Sequence, residues 1–437
     1  MVHRRTFLAA GAGAAALAAD GRPRVTNPRA TSGDGVEPNW LERLTITVGP
    51  AKADLSGTTD RVLQAAVDYA ARAGGGTVKI LPGTYTLRNA VYLSSGIRIV
   101  GSGADSVLLK APSVTTKVSA DSDWYDQEVT LADARGFEVG DGVCLRAKNP
   151  HHGGSTVIKR TLVARSGNRF KLDRALRENI WLPGSPTVST LFPIFSGDHV
   201  NDIVIENLTL DGNKDHNENL DGNHAGCIFL QDCNRVTLRG VTARNYNGDG
   251  ISWQICHDVV VENCQSLYNT GLGLHPGSGS QRPLIRHCRM IGNDQGLFFC
   301  WGVKYGLAEK NVIEDSRRYG LSIGHRDTDN IVRDNDIRRS AEVGILFRKE
   351  RGFAYNAHRN RIENNRIVDV TKENGVGVDV QGETQDIALL SNQIRQSAAP
   401  SQRIGIRLGA DAGAVTMTGN SIEGFSQAIQ DLRKKKA

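Results

Sequence analysis

A segment of 23 to 24 residues recurs through the second half of this 437-residue chain and limits its fold more than any other feature. Each copy has a glycine followed by short alternating aliphatic positions, the period-2 pattern of a half-buried strand. Helical solenoids need repeats of about 33 to 47 residues, so a coil this short predicts a parallel β-helix. The copies are Gly250-Ile251-Ser252-Trp253, Gly273-Leu274-His275-Pro276, Gly296-Leu297-Phe298-Phe299, Gly320-Leu321-Ser322-Ile323 and Gly344-Ile345-Leu346-Phe347, followed by longer coils at Gly377-Val378-Asp379-Val380 and Gly405-Ile406-Arg407-Leu408.

A second column of residues repeats in step with the first and is rich in asparagine. Asparagine tolerates left-handed backbone and bonds an identical neighbour one coil away, so the column predicts a stacked ladder at a turn. Its members are Asn207, Gly240, Cys264, Cys288, Asn311, Asn335, Asn365, Asn392 and Asn420.

The upstream sequence predicts a cap for this helix. Thr59-Asp60 begins a helix that runs through Ala73, and three glycines at 74–76 end it before a strand at 77–80. This region, with Gly96-Ile97-Arg98-Ile99-Val100-Gly101-Ser102-Gly103, resembles the N-terminal cap and first coils of the pectate-lyase superfamily. The resemblance covers about residues 50 to 430 and implies a right-handed helix and a carbohydrate-processing background. The expected fold is all-β: a right-handed parallel β-helix solenoid with an N-terminal helical cap and a small β insertion.

The chain divides into six predicted segments. Arg4-Arg5, a weakly apolar stretch and Ala16-Leu17-Ala18 resemble a twin-arginine export signal, which implies a periplasmic or extracellular protein. The segments are the signal peptide (1–19), a linker (20–45), the cap and first coils (46–114), the β insertion (115–195), the β-helix repeats (196–432) and a basic tail (433–437).

Charge and cysteine content exclude several classes of protein. The formal charge of +6 comes from basic residues at the two ends, so the nearly neutral body gives no reason to expect a nucleic-acid partner. Beyond the N-terminus, no apolar run approaches the roughly 20 residues of a membrane span. Seven cysteines without a CxxC pair argue against a zinc site. Stacking would allow Cys233–Cys256 and Cys264–Cys288 disulfides, but we expect reduced buried thiols, because twin-arginine cargo folds in the reducing cytoplasm.

The strand pattern also predicts a functional face. Residues one and three after each glycine point into the core, and residues two and four point outward. Stacked outward positions and strand ends bring polar, aromatic and charged groups together, which suits binding of sugar rings and carboxylates better than simple solubility. The predicted catalytic residues are Asp249, His275, Asp294, His325 and Arg326, and the predicted substrate-binding residues are Trp301, Lys304, Tyr319, Asp327, Arg348 and Glu350.

One of these segments resembles a known active site. Asn247-Gly248-Asp249-Gly250-Ile251 is similar to the Asn-Thr-Asp-Gly-Ile segment of polygalacturonase-type hydrolases, which implies a catalytic role for Asp249. The paired aspartate and His-Gly of that family are missing at 271–272 and 295–296, although Asp294 is close by and Tyr319-Gly320 resembles the His-Gly segment. Asp249 as a turn residue that caps its own backbone is the alternative.

No cofactor is required by any motif in the chain. The sequence has no P-loop, dinucleotide fingerprint or serine or cysteine triad. The acidic loop with Asp211, Asp215, His216, Glu218 and Asp221 has ligands suited to calcium, but a polar loop between coils is the more common explanation.

Three functions remain open, all with a polysaccharide or oligosaccharide as partner. A glycoside hydrolase is favoured because the carboxylates of Asp249 and Asp294 flank the face. A lyase or epimerase acting on a uronate polymer would use Arg326, Arg348 or Lys304 for charge and His275, His325 or Tyr319 as base. A non-catalytic glycan binder would use the same face only to stack and hydrogen-bond sugars.

Overall fold

The computed structural model describes residues 21, 23, 37–149, 153–397 and 402–433. The predicted twin-arginine signal, most of the linker and the last four residues of the basic tail lie outside the described residues. None of the helices in the described ranges has the length and apolar character needed to cross a membrane.

The chain winds as a parallel β-helix whose coils each contribute three short strands. Two of the three strand columns join into one sheet, because the long strands Ile97–Lys110 and Asn201–Asp211 pair with both columns. This sheet of 22 strands contains Leu44–Gly49, Leu55–Ser56, Gly76–Ile80, Gly83–Leu87, Ile97–Lys110, Asn201–Asp211, Asn234–Arg239, Thr242–Arg244, His257–Glu262, Gln265–Leu267, Leu284–Arg286, Arg289–Ile291, Leu307–Glu309, Val312–Glu314, Ile331–Arg333, Asp336–Arg338, Arg361–Glu363, Arg366–Val368, Ile387–Leu390, Gln393–Arg395, Val415–Thr418 and Ser421–Glu423.

The third column is a separate eleven-stranded sheet, and its outer face bears most of the predicted site. All of its strands are parallel and in register from one coil to the next. They are Val91–Tyr92, Phe195–Asp198, Ile228–Gln231, Ile251–Gln254, Leu272–Pro276, Gln295–Phe298, Tyr319–Ile323, Val343–Phe347, Val376–Val380, Ile404–Leu408 and Gln427–Asp431.

The insertion is a six-stranded antiparallel sheet with its own apolar core, which includes Phe137 and Phe170. It packs against the β-helix through the segment that precedes the strand Ile228–Gln231: Lys159 donates to the carbonyl of His224, and Arg146 to that of Asn219. Its strands are Thr115–Lys117, Glu128–Thr130, Gly142–Lys148, Ser155–Ser166, Arg169–Leu172 and Thr187–Ser189.

The N-terminal helix, Asp60–Arg72, covers the first coils as predicted, and Leu63 and Val67 join the main core. Thr59 is the N-cap residue, but its side chain makes no capping hydrogen bond, so the predicted side-chain cap is wrong. Gly75 follows the helix with φ 101°, where a Cβ would lie 2.5 Å from the Gly96 carbonyl oxygen. Short 3-10 helices occupy Trp40–Glu42, Leu182–Gly184, Lys214–His216 and Phe353–Tyr355.

The predicted asparagine ladder is present and buried. The side-chain amide of Asn335 donates to Asn365 Oδ1 at 2.9 Å, and the same bond recurs from Asn311 to Asn335 and from Asn392 to Asn420. From Cys264 onward, the residues in left-handed backbone are those just before the ladder positions, such as Asp334 with φ 55°, so the conformational reason first given for asparagine was wrong there. Asn207 and Gly240 are themselves left-handed, with φ 52° and 58°, and lie one position before the ladder, so their predicted place in it was wrong. The side chain's ability to bond the next coil is what the position requires.

The cysteines are free thiols, in agreement with the expectation of a reduced column. Cys233 and Cys256 are neighbours across one coil, where the Cys233 N–H lies 3.4 Å from Cys256 Sγ. Burial raises the pKa of the Cys256 thiol well above its ordinary value, which keeps it protonated and unreactive.

Candidate functional site

The outer face of the eleven-stranded sheet has the predicted alternation. Ile251 and Trp253 point into the core, while Ser252 points outward and lies in register with His275 on the next coil. However, this part of the face is not open to solvent, because Ser252 is 0% and His275 3% exposed. The predicted open groove is therefore closed at these two coils.

A strap formed by residues 212–226 covers this part of the face. The carbonyl of Gly222 accepts hydrogen bonds from Ser252 Oγ at 2.6 Å and from Gln254 Nε2 at 3.4 Å. A Cβ on Gly222 would lie 1.6 Å from Asp249 Oδ2, so only glycine allows the strap to approach this closely. The strap excludes a polysaccharide from Asp249 in this conformation.

Beneath the strap, Asp249 and His275 form a buried pair. His275 Nδ1 lies 2.8 Å from Asp249 Oδ2, and Asp249 Oδ1 accepts the N–H of Leu272 at 2.9 Å. Both carboxylate oxygens of Asp249 bond to groups on the following coil. The alternative in which Asp249 caps its own turn is therefore wrong. His275 Nε2 is buried and has no hydrogen-bond partner among the described residues.

Arg348 connects this buried pair to the next part of the face. The His275 ring meets Phe298 edge-on at 5.3 Å between centroids, and the Arg348 guanidinium lies 4.2 Å from the centre of the Phe298 ring. Arg348 donates to Ser322 Oγ at 2.9 Å and to the Phe299 carbonyl at 2.7 Å. These contacts hold the guanidinium against the sheet, so its predicted role in binding substrate gives way to one in positioning.

Asp327 was predicted to contact substrate but is fully buried beside Arg348. Its carboxylate accepts the N–H groups of Gly302, Val303 and Gly324 at 2.8–2.9 Å. Burial raises the pKa of Asp327, while Arg348 and these N–H groups oppose the rise. Asp327 thus fixes the turns that carry the exposed residues described next.

An exposed cluster of aromatic rings and cations lies where these turns emerge. The Trp301 ring is stacked on His325 at 4.6 Å, and His325 also contacts Tyr355 at 5.1 Å. The Arg326 guanidinium lies 4.3 Å above the Tyr355 ring. Trp301 is 61% exposed, so one of its faces is free to stack on a ligand.

The second imidazole of the site, His325, is held by a carboxylate. His325 Nδ1 lies 3.4 Å from Glu350 Oε2, and Glu350 is also 3.8 Å from Arg348. A neutral imidazole that donates from Nδ1 to a carboxylate carries its lone pair on Nε2, where it is able to accept a proton. This arrangement makes His325 a suitable general base.

A cleft of about 390 Å³ adjoins this cluster, and we refer to it as the aromatic–cationic cleft. Its cations are Lys304, Arg326 and Arg359, so an anionic group would be attracted to it. The lining residues are Lys304, Arg326, Thr328, Ala354, Asn356, His358 and Arg359.

Asp294 and Tyr319 lie apart from the cleft contacts. Asp294 is 3.9 Å from Arg318, and the Tyr319 hydroxyl accepts from Arg318 at 2.9 Å. Of the predicted residues, Lys304 and Arg326 line the cleft. Trp301 and Glu350 contact His325, which shares the Tyr355 ring with Arg326, and Arg348 contacts Glu350. Asp249 and His275 meet beneath the strap instead.

Sequence reasoning missed Tyr355, His358 and Arg359. All three belong to the coil between Gly344 and Gly377, which is 33 residues long rather than 24. Extra residues in a solenoid repeat form loops on one face, often the binding face, so the longer spacing was the available signal.

In the acidic loop at 211–221, two of the carboxylates bond to the chain itself. Asp211 pairs with Arg244 at 2.8 Å, and Glu218 accepts from Thr115 at 2.6 Å. Elsewhere in the described residues, Asp198, His199 and Asp232 place possible ligand atoms within 4.8 Å of one another on the surface. Exposed groups of this kind are common in proteins that hold no ion there.

Comparisons with known proteins agree with the fold. The model for the right-handed β-helix region matches residues 226–394 and 305–432, and the chain is a right-handed β-helix protein with the pectin-lyase-like fold. No curated protein matches the chain in sequence.

Three solved structures illustrate the likeness. The A-modules of the Azotobacter vinelandii mannuronan C-5 epimerases AlgE6 and AlgE4 align with TM-scores of 0.55 and 0.54, at 16% and 17% identity. Both alignments cover 85% of this chain, and they cover 91% and 93% of those modules. PfbA, a surface adhesin of Streptococcus pneumoniae, aligns with a TM-score of 0.50 at 14% identity, over 85% of this chain and 89% of its own. Identities this low establish the fold alone.

Proposed function

We propose that this protein is a carbohydrate-active enzyme that removes the C-5 proton of a uronate residue in an acidic polysaccharide, as a lyase or an epimerase does. The observation that carries the proposal is the His325 imidazole, held by Glu350, which contacts the same Tyr355 ring as Arg326. Arg326 lines the aromatic–cationic cleft together with Lys304. The two epimerase modules with the same fold are consistent with this chemistry but do not identify it.

The chemistry needs a cation and a base on the same sugar. Arg326, with Lys304 beside it, would neutralise the uronate carboxylate and stabilise the negative charge that develops when the adjacent C–H bond breaks. His325 Nε2 would take the proton. Trp301 would stack on a sugar ring and hold it over the cleft.

Two outcomes follow from the same carbanion-like intermediate. If the C-4 oxygen leaves with the bond's electron pair and takes a proton from water, the electron pair on C-5 forms a C-4=C-5 double bond and the chain is cut, which is elimination. If a proton from water is added to the opposite face of C-5, the sugar is inverted and the chain stays whole, which is epimerisation. In either case, removal of the C-5 proton comes first.

Glycoside hydrolysis, favoured from the sequence, has less support. It requires two accessible carboxylates about 6.5–9.5 Å apart with space for a water. Asp249 is buried beneath the strap and bonded to His275, and Asp294 faces Arg318 instead of the cleft. A non-catalytic binder would use Trp301 and Arg326 as well, but would not need the His325–Glu350 pair.

Product analysis on a polysaccharide panel tests the proposal. Polymannuronate, polygalacturonate and a neutral glucan are incubated with enzyme while absorbance near the ultraviolet edge, reducing ends and proton spectra are recorded. We expect unsaturated ends or inverted C-5 signals, on an acidic polymer only. Reducing ends without either change would mean hydrolysis, and no change on any acidic polymer would refute the proposed activity.

Variants link the activity to the cleft. His325→Ala should lower turnover about 100-fold or more, the usual loss when a general base is removed. Arg366→Ala is the matched control, because this exposed arginine lies on the 22-stranded sheet and contacts Asp336 at 3.1 Å. Equal losses in the two variants would contradict the assignment.

A further inference from the structure

A second cleft, of about 560 Å³, lies between the insertion and the first coils of the eleven-stranded sheet. Outward residues of that sheet form its floor, including Tyr92 and Ser196, which are in register, and Phe229 on the following coil. The insertion provides the other wall through Lys159 and the segment around Arg174. The cleft shares no lining residue with the aromatic–cationic cleft.

Lys159 is a cation held in place on the wall of this cleft. Its Nζ lies 3.9 Å from the centre of the Phe229 ring and donates to the carbonyl of His224, which is a neutral acceptor. Burial lowers the pKa of Lys159 to about 8. The ammonium therefore has hydrogen atoms that it can donate to a carboxylate entering the cleft. Because the lysine is already desolvated, little further desolvation of the ammonium is needed for that contact.

The rim adds two more exposed cations. The side chain of Arg174 is 61% exposed and lies 3.8 Å from Asp173, and Arg177 is exposed next to it. By contrast, the guanidinium of Arg160 donates to the carbonyls of Ala175 and Leu176, so that arginine stabilises the wall.

The acidic lining residues do not cancel this charge. Asp173 accepts the N–H of Thr161 at 2.8 Å, and Asp198 bonds His199 at 2.7 Å. Glu178 is exposed at the rim. Asp173 also lies 3.8 Å from Arg174, but the four lining cations, Lys159, Arg160, Arg174 and Arg177, outnumber the three carboxylates by one.

An exposed aromatic pair continues the rim. The backbone N–H of Arg177 donates to the carbonyl of Trp124 at 2.6 Å, which ties this loop to the cleft wall. Trp124 and Tyr125 are 52% and 60% exposed and meet edge-on at 5.9 Å between ring centroids. Exposed rings beside a polar cleft are the usual means of holding a sugar by its apolar face.

From this arrangement we infer that the cleft beneath the insertion is a second saccharide-binding site, which takes a uronate-bearing segment of an acidic polysaccharide. Tyr92 contacts a sugar face, Lys159, Arg174 and Arg177 bind carboxylates, and Trp124 extends the site outward. The choice of ligand class rests on the proposed function, whereas the site itself rests on the cleft. A second site on the same face would keep the polymer attached between reactions.

Binding measured without turnover tests this inference. A His325→Ala/Arg326→Ala protein is titrated calorimetrically with galacturonate and mannuronate hexamers and with a neutral glucose hexamer. We expect one remaining binding event for an acidic hexamer. Lys159→Met should weaken it about tenfold or more, since each charge-assisted contact contributes on that scale.

Further variants guard against a folding artefact. Arg174→Ala/Arg177→Ala changes only exposed rim residues and should weaken the same event to a similar extent. Lys171→Met is the control, because this exposed lysine pairs with Glu128 on the insertion and does not line the cleft. Unchanged affinity in the rim variant, or equal binding of the neutral hexamer, would overturn the inference.

The two proposals fail in different ways. If His325→Ala/Arg326→Ala keeps full turnover of an acidic polymer while the cleft variants lose binding, the catalytic assignment is wrong and the second site stands. If His325→Ala/Arg326→Ala loses turnover, but neither Lys159→Met nor the Arg174→Ala/Arg177→Ala change alters the affinity for the acidic hexamer, the second site is wrong and the catalytic assignment stands.

Discussion

Asn335→Leu should destabilise the protein strongly, because Asn335 serves both neighbouring coils. Its Oδ1 accepts the backbone N–H of Asn311 at 3.0 Å and the side-chain amide of Asn311 at 2.9 Å. Its own amide donates to Asn365 Oδ1 at 2.9 Å and to the Ala308 carbonyl at 3.0 Å. Leucine makes none of these bonds.

The expected magnitude follows from the groups left without partners. The substitution leaves the backbone N–H and one amide hydrogen of Asn311 unpaired in a buried site, at about 1–3 kcal/mol each. The Asn365 oxygen loses less, because it still accepts the backbone N–H of residue 335. The total loss of unfolding free energy is about 2–6 kcal/mol.

Urea denaturation followed by circular dichroism measures this loss. Arg366→Ala is the control, because Arg366 is exposed on the 22-stranded sheet and its change leaves no ladder amide without a partner. We expect a clearly lower midpoint for Asn335→Leu than for Arg366→Ala. Equal midpoints in the two variants and the wild type would refute the idea that the buried ladder stabilises the coils.

Three more predictions concern charge, the buried pair and export. Burial lowers the pKa of Lys110 to about 7, whereas the pKa of a lysine in the unfolded chain is about 10.4. Between these two pH values the unfolded chain binds more protons than the folded protein. The free energy of unfolding should therefore rise from pH 7 towards pH 10. In wild-type protein the urea midpoint should increase across this pH range, and in Lys110→Met most of this increase should disappear. The same pH dependence in both proteins would contradict the role of Lys110. Asp249→Asn should lower the free energy of unfolding but leave the steady-state rate of C-5 proton removal within about tenfold of wild type. Complete loss of activity in a folded variant would mean that Asp249 is catalytic. The exported protein should begin near Ala19 or Asp20, and replacing Arg4 and Arg5 with lysine should block export; N-terminal sequencing that finds Met1 on extracellular protein would contradict this.

The coil architecture was predictable because stacking imposes one spacing on many residues at once. The interval between Gly250 and Gly273 indicates a β-helix coil, and the interval between Asn335 and Asn365 shows that a longer coil keeps the same ladder. The ladders of Asn269 with Asn293 and of Asn330 with Asn360 follow the same rule and were missed. Periodicity fixes which residues stack, and therefore most of the core.

The candidate site was less predictable because it depends on parts of the chain that do not repeat. Alternation along the strands correctly placed Ser252 and His275 on the outer face, but did not reveal that Gly222 and its strap cover them. Likewise, the pairing of Asp327 with backbone N–H groups depends on turn geometry that no spacing encodes. The cluster at Trp301 and His325 could be predicted because these residues follow the outward-facing strands of two adjacent coils.

Removal of the C-5 proton of a uronate at the aromatic–cationic cleft would leave a direct signature in heavy water. Polymannuronate and polygalacturonate are incubated with the enzyme in heavy water, and deuterium at C-5 and unsaturated ends are measured by proton spectroscopy. We expect deuterium at C-5 or C-4=C-5 unsaturation with wild-type protein. Both signals should fall about 100-fold in His325→Ala and persist in Arg366→Ala. Cleavage that leaves C-5 protonated and saturated, or signals that persist in His325→Ala, would contradict it.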